Sequence, residues 1–548
     1  MVFLGGAWYA PANYDALAYR VPRVLHWLAA GQWQWIHTDF DRLNNRSCGI
    51  EWVSAPFIAL LKTDRLLFLI NLVSFLLLPG LVFSVFSRLG VRRRVAWHWM
   101  WIAPTGYGLL LQAGSIGNDL FGATFALAAV DFAVRAKTSR AARDFFAAIL
   151  AAAMMTSAKT SSLPLLLPWA AAMLPSFKLF FRWPLRTMAI CAIAISASAL
   201  PTMFLNAKYS GDWSGANVGR SHVKNAVFLR AGASAVLMAI ENFVPPVFPL
   251  AGWWNHRVEQ AMPPALAGPL EQLIESPGCK FHLEEMQMEE NAGLGFGVGV
   301  LLLASVVAAK FDRRKNTAGA SKNSGGSTWQ RCVRFAPVIS FFVLITQANL
   351  TAIARIATPY YLLLLPALLA GPGHERVIGK CWWRVLGFAV FATAAGLLII
   401  SPPRPLFPVH ILLKKIQPHA PDSRLFARVE TVYSVYGARG DAFEPARAIL
   451  PAEANPLGMV TFDDPEATLW QPFGSRRIFH VCRADTPEET RRRGIHYVLI
   501  SSFVLSQVWN LSLDEWLARN NAEVVQRLSL ELRAGRGPTD WFLVRLRP

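Results

Sequence analysis

Apolar runs long enough to cross a lipid bilayer recur along this chain, and they set its architecture before any motif is considered. A helix needs about 20 such residues to cover the hydrocarbon core. Runs near that length fall at 63–87, 95–113, 119–135, 142–158, 162–181, 186–205, 291–309, 334–350, 355–371 and 384–401. The first ten residues, MVFLGGAWYA, read as the outer end of a further span. The fold class expected is a polytopic α-helical membrane protein of about ten to eleven spans. A chain that is 53% hydrophobic and only 16% charged, with a mean hydropathy of +0.32, is not an ordinary soluble enzyme.

Lys and Arg fix the expected orientation, because short cytoplasmic loops collect them. Alternate connections are basic: Arg88 with Arg92 to Arg94, then Arg135, Lys137, Arg140 and Arg143, then Lys178, Arg182 and Arg186. The linker at 310–334 and the loop holding Arg376, Lys380 and Arg384 continue the series. The short corners on the opposite side carry only Lys159 and Arg355. Those two cations run against the trend that sets the topology, so they call for another explanation.

The net charge of +19 raises the question of nucleic acid. Much of the excess lies in the inner loops, where membrane lipids and the insertion rule account for it, and no soluble module carries a basic stripe; a nucleic-acid partner is therefore not expected. The six cysteines are scattered singly, without metal-ligand spacing. Of these, Cys48, Cys279 and Cys482 fall on the outer side, where an oxidising compartment permits a disulfide.

Two longer segments join the outer corners, 11–62 and 206–290, and both contain amphipathic stretches suited to lying in the headgroup region. From 402 to 548 the pattern changes. Strand-like LGMVTF, RRIFHV and HYVLIS alternate with DDPEATLW, TPEETRRR and SLDEWLARN, and EVVQRLSLE and DWFLVRL close the chain as an antiparallel pair. The expected organisation is a membrane domain, 1–401, followed by a small extracytoplasmic α/β domain, 402–548. The glycines of GLGFGVGV, inside an apolar run and with no strand before them, read as helix-packing positions rather than a phosphate loop.

The chemistry is expected at the outer corners. Asp15 opens the first, Glu51 precedes the next membrane entry, Asn118 and Asp119 begin a span, and Lys159 and Arg355 follow or precede others. Each alone has a structural reading: an interfacial acid, an N-cap, a dipole partner. Together, carboxylates beside cations in a partly dry cavity can hold a phosphate and activate a hydroxyl, and the same acids could bind a divalent metal ion through oxygen.

These residues carry a resemblance. Asp15 with Tyr19, the RVLHWL helix, Glu51, NDLFGATFALAA at Asp119, SAKTSSLPLLLP at Lys159 and ARIATPYYLLLLPALL at Arg355 resemble, in order and sidedness, the multi-spanning glycosyltransferases with the C-type fold that use polyprenyl-phosphate sugars, among them protein O-mannosyltransferases, aminoarabinose transferases and lipopolysaccharide galacturonosyltransferases. The resemblance covers most of 11–372. It implies a donor sugar on a polyprenyl phosphate and an acceptor hydroxyl on a glycan, lipid or protein, met on the outer side of a bacterial inner membrane. It also implies Asp15 as catalytic base, Asp119 and Glu51 as supporting acids or metal ligands, and Lys159 and Arg355 as phosphate contacts. Tyr19, Asn118 and Glu290 are further candidates. Where the family places an arginine three residues after the acid, this chain has Ala18, which leaves Arg20 or Arg23 to serve. Outside enzymes, a transporter or flippase, or a non-catalytic scaffold of envelope polysaccharide assembly, would also place ionisable groups near a membrane.

Overall fold

A computed structural model describes the chain apart from residues 216–226, 264–282, 316–326, 348–351, 420, 536 and 548. Cys279 and most of the Gly/Ser-rich stretch in the 310–334 linker therefore lie outside the described residues. The chain forms two compact units. One comprises Met1–Phe3, Ser47–Ile50 and Leu69–Ile399; the other comprises Leu4–Arg46, Glu51–Phe68 and Ile400–Pro548.

The first unit is helical, and the apolar runs expected to span appear as helices. Among the described residues, Phe68–Arg88, Thr160–Phe181, Thr328–Gln347 and Cys381–Ile400 are long and apolar enough to cross a membrane, with a fifth if Pro184–Ala197 and Leu200–Ser210, bent by 49°, count as one span. The remaining runs are shorter, broken or more polar. The 95–113 run divides into Arg93–Ile102 and Tyr107–Gln112, and 355–371 into Ile353–Ile356 and Thr358–Leu369. Asn118–Ser139 has the length, but it carries Asp119, Asp131, Arg135 and Lys137. It can carry them because Asp119 and Asp131 are buried and paired with cations, while Arg135 and Lys137 lie toward its more exposed end.

Small residues hold this core together. Lipid tails are as apolar as leucine, so helices in a bilayer associate through close packing rather than through the hydrophobic effect. Ala128 and Ala129 of Asn118–Ser139 meet Ala151 and Ala152 of the Ala142–Ala158 helix in a seam that lets the two backbones approach. The glycine-rich turn before Phe296–Lys315 behaves likewise, since a Cβ on Gly293 would lie 2.6 Å from the Ala354 Cβ. Gly108 is equally constrained: its N–H donates to the Gly293 carbonyl at 2.7 Å, and a Cβ would come within 2.6 Å of the Ala292 carbonyl oxygen. Gly108→Ala is expected to cost about 1–3 kcal/mol, as overpacking does. A lower melting temperature of the purified protein would show it.

Charge is segregated along the Asn118–Ser139 helix. Asp119 stands in its first turn, while Asp131 and Arg135, roughly 18–24 Å further along the axis at 1.5 Å per residue, belong to a second network. There Arg88 lies 3.2 Å from Asp131, Ser84 donates to Asp131 at 2.6 Å, and Arg135 lies 3.3 Å from Asp144. Arg88 and Arg135 thus meet acids at the end of the helix remote from Asp119.

The second unit contains a five-stranded sheet in the order β2-β1-β3-β5-β4. The strands are β1 (Leu457–Val460), β2 (Ile478–His480), β3 (Tyr497–Ser501), β4 (Ala522–Leu530) and β5 (Thr539–Leu546). β2, β1 and β3 are parallel, and β5 runs antiparallel to both β3 and β4. Parallel neighbours require crossovers, and the helix Pro487–Arg492 provides one, its start fixed by a capping box of Thr486 and Glu489. A second box, Ser512 with Glu515, starts the Leu513–Asn520 helix ahead of β4. Trp509 and Trp516 pack with Val498, Ile500 and Val544 in the core. Leu4–Arg46 and Glu51–Phe68 belong to this unit too, and the helix Val21–Ala30 ends on Gly31 at φ 68°, a left-handed cap that glycine adopts freely.

Candidate functional site

In the first unit the polar site is built around Asp119. It sits in a first helical turn, where unpaired N–H groups and the helix dipole favour an anion. Gln112 satisfies that turn: its Oε1 accepts from the N–H groups of Asp119 and Leu120, each at 3.0 Å, and its amide donates to Asp119 Oδ2 at 3.0 Å. Asp119 therefore keeps its carboxylate for side chains. Lys159 Nζ donates to Oδ1 at 2.6 Å, and Arg355 Nε lies 4.0 Å from Oδ2. Asn118 fastens the same turn to the neighbouring helix by donating to the Ala158 carbonyl at 2.8 Å.

The chain brings these groups together through breaks in its helices. Lys159 is extended between Ala142–Ala158 and the helical segment that follows, and Arg355 lies in the short Ile353–Ile356 helix. The carboxylate is 2% exposed, whereas Lys159 is 21% and Arg355 16% exposed. An incoming anion would therefore meet the two cations, with Asp119 behind them. Glu241, which the sequence did not single out, accepts from the Ala354 N–H at 2.8 Å, beside Arg355. Burial pushes its carboxyl up to about 7, against the pull of that N–H and of Arg355. The single acid on the largely apolar helix Val227–Phe243 was the available signal. Glu290 lies in the turn before Phe296–Lys315, and its neighbour Glu289, 3% exposed, accepts from Ser115 at 2.8 Å.

The second unit gathers Asp15, Tyr19, Arg20, Arg23 and Glu51. Asp15 precedes the turn Ala16–Arg20, and Asn13 secures that turn by accepting from the Ala16 N–H at 2.8 Å. Arg20 lies 3.5 Å from Asp15 Oδ2 and donates to the Tyr19 hydroxyl at 3.2 Å. Arg23 is 1% exposed and donates to the carbonyls of Leu43, Arg42 and Arg46 at 2.7, 2.7 and 2.9 Å. Its guanidinium closes the end of the Arg42–Asn45 turn, a structural task. Between the two arginines that could replace the one missing at Ala18, Arg20 is the one beside Asp15. Glu51 lies 3.5 Å from Arg23, and burial raises its carboxyl while Arg23 and Arg20 lower it. Arg46, absent from the sequence-based set, acts electrostatically on both Asp15 and Tyr19. Nothing in its local sequence distinguishes it from a loop arginine.

Asp15 is also positioned from the far end of the chain. The neighbouring Tyr14 donates to the Asp463 carbonyl at 2.6 Å, and Arg533 donates to the Tyr14 hydroxyl at 2.8 Å and to Asp463 Oδ2 at 2.8 Å. Asp464, the other half of that acidic pair, accepts from the Thr461 hydroxyl at 2.7 Å and from the Phe462 N–H at 3.3 Å, which is turn capping.

The acids expected as metal ligands do not suit a divalent cation. Asp119 is occupied by an ammonium and an amide and faced by a guanidinium, and Glu51 lies between arginines. Such surroundings favour a bound anion and oppose a second positive ion.

A separate network ties the Val21–Ala30 helix to the sheet. Glu466 accepts from Trp470 at 2.7 Å and meets His26 Nε2 at 3.0 Å and His480 Nε2 at 2.7 Å, while Thr38 pairs with His480 Nδ1 at 2.6 Å. Burial opposes the charge on Glu466, but His480 and His26 prevail and hold its carboxyl well below the usual range; burial lowers His26. A depressed carboxyl adds stability above its ordinary value of 4.5 that is lost as pH falls toward the folded value. A depressed histidine subtracts stability once pH falls below its ordinary value of 6.5. Both act in the same direction, so the melting temperature is expected to fall on acidification from about pH 6.5. Glu466→Gln should lower it at neutral pH by the equivalent of about 1–3 kcal/mol, by removing a buried acceptor. Thermal melts across the pH range test both.

Solved structures that resemble the chain include the following. ArnT from Cupriavidus metallidurans bound to undecaprenyl phosphate is 15% identical, with 99% of this chain and 95% of that chain covered and a TM-score of 0.47. The same protein in the apo state is 14% identical at equal coverage, with a TM-score of 0.38. The Archaeoglobus fulgidus oligosaccharyltransferase in the apo form is 11% identical, covering 91% of this chain and 67% of that one, with a TM-score of 0.37. No family model and no curated protein matches the sequence. The TM-scores are low, so function must be argued from this chain's own side chains.

Proposed function

We propose that this protein is an integral membrane glycosyltransferase that moves a sugar from a polyprenyl-phosphate donor to an acceptor hydroxyl on the extracytoplasmic side of a bacterial inner membrane. The observation that carries the proposal is the cluster of Lys159 and Arg355 on the buried carboxylate of Asp119. Cations held by a buried acid, at chain positions that defy the charge rule for outer corners, suit a phosphate arriving from the lipid phase. In this reading Lys159 and Arg355 neutralise the phosphate as the bond from the sugar to its oxygen breaks, and Asp119 orients both. Asp15, flanked by Arg20 and Tyr19, accepts the proton of the attacking hydroxyl as the new glycosidic bond forms. The second unit then belongs to the extracytoplasmic side with Asp15.

The test is transfer in proteoliposomes holding a polyprenyl-phosphate-linked sugar, read as release of free polyprenyl phosphate together with glycosylated acceptor. Loss of both in the Asp15 and Lys159 variants supports the proposal. A wild-type protein that never consumes the donor would instead favour a transporter or a scaffold.

A further inference from the structure

The geometry points to a transition-metal site, of the kind zinc occupies, formed by His37, Cys482 and Asp485 in the second unit, with a fourth position for water. The three come together from distant stretches of chain: the donor atoms of His37, Cys482 and Asp485 all lie within 4.8 Å of one another. His37 Nε2 and Asp485 Oδ1 are 2.7 Å apart. Asp39 stands beside the thiol as an outer contact, its carboxylate hydrogen-bonded to Cys482 and accepting from the Arg483 N–H at 2.7 Å.

The donor set is specific in kind. A thiolate with an imidazole and a carboxylate suits zinc and its neighbours, whereas calcium and magnesium take oxygen alone. In a tetrahedral zinc site with bonds of about 2.0–2.3 Å the donors lie roughly 3.3–3.8 Å apart. The present cluster therefore needs to tighten by at most about an ångström, while the 2.7 Å contact between His37 and Asp485 opens as the ion enters between them. Access and support are both present: the His37 side chain is 55% exposed and offers an entry path, while Cys482 and Asp485 are buried at 7% each. The Cys482 N–H donates to Asp485 Oδ2 at 2.8 Å, which orients that carboxylate as outer contacts do in metal sites. Arg493, 29% exposed, donates to Asp485 Oδ2 at 3.3 Å and to Oδ1 at 3.5 Å, so an ion on Oδ1 replaces the longer of these two contacts.

The buried cluster of His26, Glu466 and His480 also has ligand-like residues, but Trp470 and both histidines already occupy its carboxylate, and Thr38 occupies the second nitrogen of His480. It is complete as a hydrogen-bond network. The His37 cluster differs in having a thiol and an open side.

Its position gives the ion a task. The stretch from His37 to Phe40 lies along residues 462–485: Thr38 reaches His480, Asp39 reaches Arg483, and the Phe40 ring meets Phe462 at 5.5 Å. An ion binding here would replace the thiol proton and fasten the first outer segment to the C-terminal sheet.

The full-length protein in detergent, stripped with chelator and titrated with Co2+, tests this. Expected are one tightly held Co2+ per chain with a thiolate-to-cobalt charge-transfer band, its displacement by Zn2+, and a rise in melting temperature on metal addition. Cys482→Ser should abolish the band, and His37→Gln, on an exposed side chain that the fold does not need, should weaken Co2+ binding on the order of tenfold or more. The exposed Cys332 and Cys381 are replaced by serine in all samples so that they contribute no thiolate. Absence of the band in the parent protein, its survival in Cys482→Ser, or unchanged Co2+ affinity in His37→Gln would overturn the assignment. Asp15→Asn and Asp119→Asn should retain the ion, which keeps this result separate from that of the transfer assay.

Discussion

Asp15→Asn is expected to reduce sugar transfer about 10²- to 10⁴-fold, the usual range for losing a positioned general base. The amide keeps the size and nearly the shape of the carboxylate but accepts a proton far more weakly. The surroundings should survive the change, because the turn at Ala16–Arg20 is secured by Asn13 and its anchor to the sheet is made by Tyr14 and Arg533. Donor binding should therefore persist while turnover collapses. A variant with near-normal transfer would remove Asp15 from the base role, and one that unfolds would be recognised by its melting curve before any rate was read.

Lys159→Met should act on the other partner. Replacing the ammonium with an apolar chain of similar length withdraws the 2.6 Å contact to Asp119 and one of the two cations offered to a phosphate. Loss of a preorganised electrostatic contact to the developing charge typically costs about 10²- to 10³-fold in rate. Because the ground-state donor already carries phosphate, weaker donor binding should accompany the slower step. Asp119, left buried with Arg355 4.0 Å away, should also make the variant less stable. The double variant Asp119→Asn with Lys159→Met should regain stability without regaining transfer. That combination separates a structural ion pair from a catalytic one, since a purely structural pair would recover both.

Much of the architecture was legible because it rests on local rules. A long apolar run becomes a helix wherever it lies, since the alternative exposes backbone to hydrocarbon. The strand and helix alternation after 450 reappears as β1 to β5 with its helices, because period-two patterns and capping boxes such as Thr486–Glu489 act over a few residues. The exact number of crossings was less legible. Asn118–Ser139 and Ala142–Ala158 are rich in alanine and buried against each other, so hydropathy alone does not distinguish an inner helix from a spanning one.

The grouping of functional side chains was legible only in part. The misplaced cations Lys159 and Arg355 could be noticed from charge pattern, yet their meeting on Asp119 required three helix breaks to coincide in space. Arg23 and Arg20 looked interchangeable as letters. Only the fold shows one turned to backbone carbonyls and the other beside Asp15. Glu241 and Arg46 carried no motif.

By itself, the sequence determined that this chain is helical and bilayer-compatible, that its basic residues gather in alternate loops, and that strands and short helices alternate near its end. Hydrophobic period, loop charge and capping chemistry are read over neighbouring residues. Only the tertiary structure decided that Leu4–Arg46 shares a unit with the C-terminal sheet, that Glu466 joins His26 to His480, and that His37 comes to rest beside Cys482 and Asp485. The His26–Glu466 and His37–Asp485 pairings span more than 400 positions of chain, and contacts at that separation are selected by packing and charge complementarity in the folded protein, for which no local pattern exists.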